Sequence, residues 1–535
     1  PGYFAADGNA GQTGASSGNI WKVHFTPDET GEWTYQVSFK KGNWVAVRSR
    51  TKGVPSGEFM DESQGSFLIQ ESDKQGRDFR AHGRLQFVGE GYLRFAETGE
   101  YFYKCGPDAP ENLLAYYAFD GDFAEDGHKD QLVKRWEAHL QDWQAGDPTW
   151  GEDGRGKEII GAMNYLASKG MNSVSFLTNN IIGDDQNVFP YINYDTHDRF
   201  DCSKLDQWET LFTHAQQNGL FLHFKTLEAE NQGLLDNGGI GGKTKLYYRE
   251  LVARFGHHLA LNWNLCEEVG DWWQFDKQPS IPWDIPERRS LTEYLYSIDP
   301  YHHHMVIHNG NWYDSMYGDQ SKLTGASLQT SKPDFRQVHP QVARVIREAK
   351  AAGKVWAVAC DEPGDAVHSL LPDEEDPEHF QARTNGLWGA MLAGAWGTEW
   401  YFGYKHPHSD LTCEDYRSRD KFWDMGRHCL EFFQKQDLPV AEMEVKDALI
   451  SSEGDYCYAK EGDTYVILLK KGGESQLDLR GHDGDYTVSW YNPREGGGLL
   501  PGTIKETQGG AQASLGLPPN QRKRDWVVLV ERKSE

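Results

Sequence analysis

Residues 262–272 read NWNLCEEVGDW, an apolar-flanked segment that runs into two adjacent carboxylates, Glu267 and Glu268, and then a glycine. With Ala260 and Leu261 before it, the segment has the composition of a buried strand. Successive side chains on a strand point to opposite faces. The two glutamates are therefore expected on opposite faces, with one of them on the face that does chemistry.

The neighbours of this stretch set its context. YYRELVARFGHH before it and LTEYLYSIDP after it carry helical periodicity, so the strand lies between helices. The same alternation extends in both directions. The strand candidates are ENLLAYYAF, MNSVSFLTN, LFLHFKTLE, ALNWNLCEE, HHMVIHNG, GASLQTS, KVWAVACDEPG and TEWYFGYK. Helices such as GKEIIGAMNYLASKG, which closes on Gly170, fall between most of them. Eight βα units argue for a parallel sheet closing into a (β/α)8 TIM barrel over residues 83–437. An open doubly wound sheet is the alternative, but no GxGxxG follows a strand.

Both flanks alternate at period two. Residues 1–82 carry NIWKVHFTP, GEWTYQVSFKKG and WVAVRS, and are expected to form a β-sandwich incomplete at its start. GRLQFVGEGYLRFAETGEYFYK reads as a hairpin-like bridge into the barrel. Residues 438–535, with DYTVSWYNPREGG and DWVVLVERK, are expected to form a second β-sandwich. The opening PGYFAADG has neither an initiator Met nor a signal peptide, and reads as a chain whose beginning lies upstream.

The 535 residues exceed one ordinary core. A formal charge of −27 repels phosphate backbones and anionic membranes, which argues against nucleic acid or membrane insertion. The 19 tryptophans suit a cleft in which flat rings stack on sugars, although core packing uses them equally well. The seven cysteines form no CxxC pair, so no zinc or redox motif is legible, and they read as small buried residues. FDGDFAEDG, with Asp120, Asp122 and Asp126, lacks EF-hand spacing and reads as a solvated loop.

Barrel enzymes place their reactive groups where strands end. The strand ends here supply Asn179, His223 and Glu228, Glu267 and Glu268, His308, Asn309 and Trp312, Gln329, Asp361 and Glu362, and Glu399 and Trp400. Strands four and seven face each other across a barrel. Carboxylates closing them could flank a glycosidic bond at the separation of about 5 Å that double displacement needs. Such hydrolysis needs no metal and no organic cofactor. Asp361 is expected on the face opposite Glu362. The insert after the first strand, with Trp143 and Trp150, is expected to wall the cleft and favour a pocket with exo-type or short-oligosaccharide action.

The order β-domain, barrel, β-domain, with WNLCEE and CDEPG, resembles clan A glycoside hydrolases. Within them it is similar to apiosidase-like bacterial barrels with an N-terminal β-sandwich and a C-terminal "putative collagen-binding" β-domain. The resemblance implies a retaining glycoside hydrolase that cleaves a polysaccharide or oligosaccharide, secreted or periplasmic in a bacterium. Spacing from Trp263 makes Glu268 the acid/base and sets Glu267 where the clan commonly has Asn. Glu362, before Pro363, becomes the nucleophile. Trp263 and Asn264 support the strand end, and Trp400 corresponds to an aromatic platform. Asn179, His223, Glu267, His308, Asn309, Trp312 and Gln329 complete the expected substrate contacts. The rival reading is a non-catalytic carbohydrate- or matrix-binding protein on a barrel scaffold.

Overall fold

A computed structural model describes residues 1–48, 53–120, 132–183, 187–269, 283–309 and 313–533. Its centre alternates strand and helix. The elements are β1 (Lys104–Pro107), α1 (Lys157–Ser168), β2 (Ser173–Leu177), α2 (Cys202–Gln217), β3 (Phe221–Lys225), α3 (Gly242–Phe255), β4 (Leu261–Asn264) and α4 (Ile285–Ile298). There follow β5 in two pieces (His304–Val306 and His308–Asn309), β6 (Gly325–Gln329), α5 (Val338–Ala351), β7 (Ala357–Glu362), α6 (Trp388–Met391), β8 (Gly397–Trp400) and α7 (Asp420–Lys435).

Local chemistry marks several boundaries. Asp201 caps α2, its carboxylate accepting from the backbone N–H groups of Ser203 and Lys204 at 3.0 Å. Asp284 caps α4 in the same way, with proline in the first turn. Gly170, at φ +84°, supplies the left-handed residue just past α1.

The strands form two parallel ladders, in the orders β2-β3-β4-β5 and β5-β6-β7-β8-β1. The two pieces of β5 each join one ladder, so this strand links them. At the other seam, the Asn172 N–H donates to the Cys105 carbonyl at 3.0 Å and the Leu177 N–H to the Glu111 carbonyl at 2.9 Å. Side-chain alternation sorts the two faces. Phe224 and Trp263 pack on each other, with Phe224 reaching Phe212 of α2 and Phe255 of α3. His223, Lys225 and Asn264 point the other way, into the interior.

The first strand differs from expectation. ENLLAYYAF forms turns, and β1 begins at Lys104, the last residue of the stretch expected as a bridge. Pro107 and Pro110 lack the N–H groups that would extend the ladder. Leu113, Leu114, Tyr116 and Phe119 then fill the core as irregular backbone. The rest of that bridge is a small antiparallel sheet of Leu85–Phe87, Leu93–Phe95 and Tyr101–Phe102.

The N-terminal β-sandwich is not what the described residues form. They make three separate two-stranded pairs, the longest joining Gly31–Gln36 to Gln64–Ile69. The described part of WVAVRS, residues 44–48, is turn and bend, with Trp44 at φ +53°. Trp21, Phe25, Tyr35, Phe67 and Leu68 are exposed, so alternation yields strands here with no second layer to bury them.

The C-terminal region is β-rich as expected. A six-stranded antiparallel sheet includes Tyr456–Lys460, Thr464–Leu469, Trp526–Arg532 and Asp485–Tyr491. It shares a core with the pair Gln476–Asp478 and Gln512–Ser514. A fully buried pair fastens it to the centre, where Arg383 grips Asp525 with contacts of 2.8 and 3.0 Å. All seven cysteines are free and buried. Among the described residues no helix is long and apolar enough to cross a membrane.

Candidate active site

β4 ends at Asn264, before the two glutamates. Glu267 and Glu268 lie in a turn, and Glu268 adopts φ +45°. Strand alternation therefore does not separate them. The turn instead brings both carboxylates to one cluster. Backbone bonds hold it: the Glu267 N–H donates to the Leu227 carbonyl at 2.8 Å and the Leu265 N–H to the Val306 carbonyl at 3.1 Å. The Asn309 amide donates to the Val269 carbonyl at 2.6 Å.

A register shift does the same for β7. Leu328 pairs with Cys360 but Gln329 pairs with Glu362, so Asp361 is an extra residue in the ladder. Contrary to the alternation expected there, Asp361 and Glu362 both reach interior partners. Asp361 meets Lys104 Nζ at 2.8 Å, and Glu362 meets His308.

The cluster is organised by three donors. Gln329 Nε2 donates to Glu362 Oε2 at 3.0 Å and also to Glu268 Oε1. One nitrogen thus serves both carboxylates, which places those two oxygens within two hydrogen-bond lengths, about 6 Å, of each other. His308 Nε2 lies 3.0 Å from Glu362 Oε2 and 2.9 Å from Glu267 Oε1. Lys225 Nζ sits 2.6 Å from Glu267 Oε2, 2.8 Å from Asp108 Oδ1 and 2.9 Å from Glu111 Oε1.

These contacts sort the protons. Burial, and then the charge of Glu362, push the Glu268 carboxyl up to about 8, against the pull of the Gln329 amide. Burial also acts on Glu267, but the His308 and Lys225 charges overcome it and hold Glu267 down to about 2. Burial disfavours the His308 cation, yet Glu267 and the hydrogen bond to Glu362 raise it to about 10. At neutral pH the cluster thus holds a protonated Glu268, an ionised Glu267 and a cationic His308.

Below lies a second interior layer. Lys104 Nζ contacts Glu399 Oε2 at 2.9 Å, His223 Nδ1 contacts the same oxygen at 2.5 Å, and Asn264 Nδ2 meets His223 Nε2 at 3.0 Å. His223, Asn264 and Glu399 are therefore fully buried beneath the glutamate cluster and support it through this network. Asn179, just past the end of β2, is fully buried, and neither its side-chain nitrogen nor its oxygen has a hydrogen-bond partner among the described residues.

Two expected contacts face the wrong way. Trp263 donates its Nε1–H to Asp299 at 3.0 Å beside α4. Trp400 donates to Thr398 and packs on Phe335 and on Phe422 of α7. Both occupy the strand parity that faces the helices, so neither is a platform. Trp150 is likewise core, stacked on Phe119, and does not wall a cleft. Trp312, Asp122 and Asp126 lie outside the described residues.

Sequence reasoning missed Lys225, Asp108, Glu111 and Tyr401. Lys225 carried a usable signal: a lysine among the buried residues of LFLHFKTLE needs a countercharge. Asp108 and Glu111 were hidden by the misplaced first strand. Tyr401 is raised by burial and by carboxylates that include Glu111 and Glu362.

Residues 1–40 match a family described as "Domain of unknown function (DUF5060)", and residues 443–531 one described as "Putative collagen-binding domain of a collagenase". No curated protein matches the chain. Solved structures share its fold. A "putative glycoside hydrolase" from Bacteroides vulgatus ATCC 8482 is 16% identical with TM-score 0.61, over 96% of this chain and 90% of its own. A glycoside hydrolase family 5 protein from the same organism is 15% identical with TM-score 0.58, over 86% and 95%. A third, named as a glycoside hydrolase, is 13% identical with TM-score 0.59, over 86% and 99%. The chain has the fold of these glycoside hydrolases.

Proposed function

We propose that the chain is a retaining glycoside hydrolase acting on a polysaccharide or oligosaccharide, with Glu362 as nucleophile and Glu268 as acid/base. The observation that carries this reading is the Gln329 bridge. It holds the two carboxyl groups at a reach suited to double displacement, for which carboxylates stand about 5–5.5 Å apart against 6.5–9.5 Å for inversion. Glu268 keeps its proton at neutral pH and can give it to the departing glycosidic oxygen. Glu362, facing the His308 cation, attacks the anomeric carbon. Glu268, once deprotonated, then takes a proton from the water that opens the glycosyl-enzyme.

Glu267 stands where the clan commonly has Asn, and its charge is answered by His308 and Lys225. It fixes His308 against the nucleophile while its own contact to sugar is that of an acceptor. The reading includes closure of the eight strands into a (β/α)8 barrel over 83–437, with flanking units 1–82 and 438–535. The shared β5 and the β1–β2 backbone bonds support that closure.

Leaving-group dependence tests the roles. Glu268→Ala should lose most activity on natural glycosides, keep the first step on nitrophenyl glycosides, and gain rate with azide. Glu267→Ala should weaken both substrate types without rescue. Azide rescue of Glu267→Ala alone would mean that the two residues are reversed. Binding of oligosaccharides with no turnover by the wild-type chain on a broad glycan panel would favour the rival, non-catalytic binding protein.

A further inference from the structure

Among the described residues, three groups bring histidine and carboxylate ligand atoms within 4.8 Å of one another. Two are interior. In each of these a lysine ammonium already supplies the cation: Lys225 beside Glu267, and Lys104 between Asp361 and Glu399. The third is Glu209 of α2 with His257 and His258, which follow α3 on the way into β4. Both ion pairs of Glu209 are with these two histidines.

Its geometry suits a metal. Glu209 Oε1 lies 3.2 Å from His257 Nε2, and Oε2 lies 3.2 Å from His258 Nε2. Tetrahedral zinc, with Zn–N and Zn–O bonds of about 2.0–2.2 Å, sets its ligand atoms about 3.3–3.6 Å apart along each edge, and one ligand atom from each of the three residues lies within 4.8 Å of the others. The outer contacts of His257 also fit, while His258 Nδ1 is buried with no hydrogen-bond partner among the described residues. His257 Nδ1 faces the Arg254 carbonyl at 2.9 Å, so Nδ1 carries the proton and the Nε2 lone pair points at the carboxylate. Two electron-rich atoms then confront each other, a contact that only a proton or a metal ion relieves. Thr213 donates its hydroxyl to Glu209 Oε1 at 3.0 Å, as ligating carboxylates are commonly braced. The side chains of Glu209 and His257 stay 20% and 17% exposed, which leaves an entry path and room for a solvent ligand.

We propose that Glu209, His257 and His258 form a zinc site that ties α2 to the segment entering β4. The set is two imidazoles and a carboxylate, a combination suited to Zn2+. His24 of the N-terminal segment stacks on His257 at 4.2 Å, so the ion would also stiffen the seat of that segment. The site lies on the helix layer, apart from the glutamate cluster, and its role is structural.

The test uses the full chain, stripped with chelator and titrated with Zn2+ alone. Bound metal is read by atomic emission after desalting, and Tm by calorimetry. One equivalent should be retained, and Tm should rise on loading and fall back with chelator. Glu209→Gln and His257→Ala should each lose the equivalent and the Tm response while melting cooperatively when metal-free. Glu268→Gln/Glu362→Gln should keep both. No zinc retained by the stripped wild type, or an equivalent that survives in Glu209→Gln and His257→Ala, would overturn the proposal. Loss of the equivalent only in the double active-site variant would move the metal to the glutamate cluster and overturn it equally.

Discussion

Replacing Glu268 with glutamine should make the protein more stable and less active at the same pH, and the two effects share one cause. Glu268 is raised from 4.5 to about 8 by burial and by the Glu362 charge. Each unit corresponds to about 1.4 kcal/mol, so the ionised form is disfavoured by about 5 kcal/mol in the folded state. Between pH 4.5 and 8 the folded chain holds a proton at this position that the unfolded chain has released. Stability contributed by this group is therefore present below the unfolded value and falls as pH rises toward 8. Glutamine is neutral throughout and keeps the contact to Gln329. Relative to wild type, Glu268→Gln should be near neutral at pH 4 and stabilising by up to about 5 kcal/mol at pH 8, with half that gain already decisive. Denaturant titrations at the two pH values measure it. Wild-type kcat/KM on unactivated glycosides should fall above about pH 8, because deprotonated Glu268 cannot assist the leaving group. Equal effects of Glu268→Gln on stability at both pH values, together with a flat alkaline limb, would refute the assignment of the proton to Glu268.

Other changes probe the same network. Gln329→Ala removes hydrogen bonds to two carboxyl groups, the one to neutral Glu268 worth about 0.5–1.5 kcal/mol and the one to the Glu362 carboxylate about 1.5–3 kcal/mol, and should cut kcat/KM by tenfold or more. Because the Gln329 amide lowers Glu268, its loss should also move the alkaline limb to higher pH; a limb that moves to lower pH contradicts the bridge. Lys225→Met leaves Asp108, Glu111 and Glu267 without their shared ammonium and should cost about 3–5 kcal/mol by denaturant titration. Trp400→Ala should cost about 3–5 kcal/mol with KM for small glycosides unchanged, since the ring fills the helix layer; a large rise in KM with intact stability would restore the platform.

Periodicity alone was enough to locate seven of the eight central strands and the helices between them. Burial of one face leaves its mark every second or every 3.6 residues wherever an element is long enough. β1 escaped because it is only Lys104–Pro107, with prolines at its C-terminal end, while a longer apolar run just beyond it is core-filling loop. Alternation at the N-terminus marked the strand Gly31–Gln36 but not WVAVRS, whose described part is turn and bend, and a strand pattern carries no information about whether a second layer exists to cover it.

The candidate site was legible by residue type and position along the chain. Acids near the ends of the fourth and seventh strands, with His308 and Gln329 between them, could be named because the expected barrel gathers polar groups at its strand ends. What the tertiary structure decided was direction and charge. A left-handed turn at Glu268 and an extra residue at Asp361 cancel the alternation from which facing had been inferred, because each breaks the regular pleat over a single residue. Trp263 and Trp400 are the converse case, where intact alternation turns the rings toward the helices. The proton on Glu268 depends on Glu362, 94 residues along the chain, and the charge on Glu267 on Lys225 and His308. Electrostatic interaction follows distance through space, and only the folded chain fixes that distance.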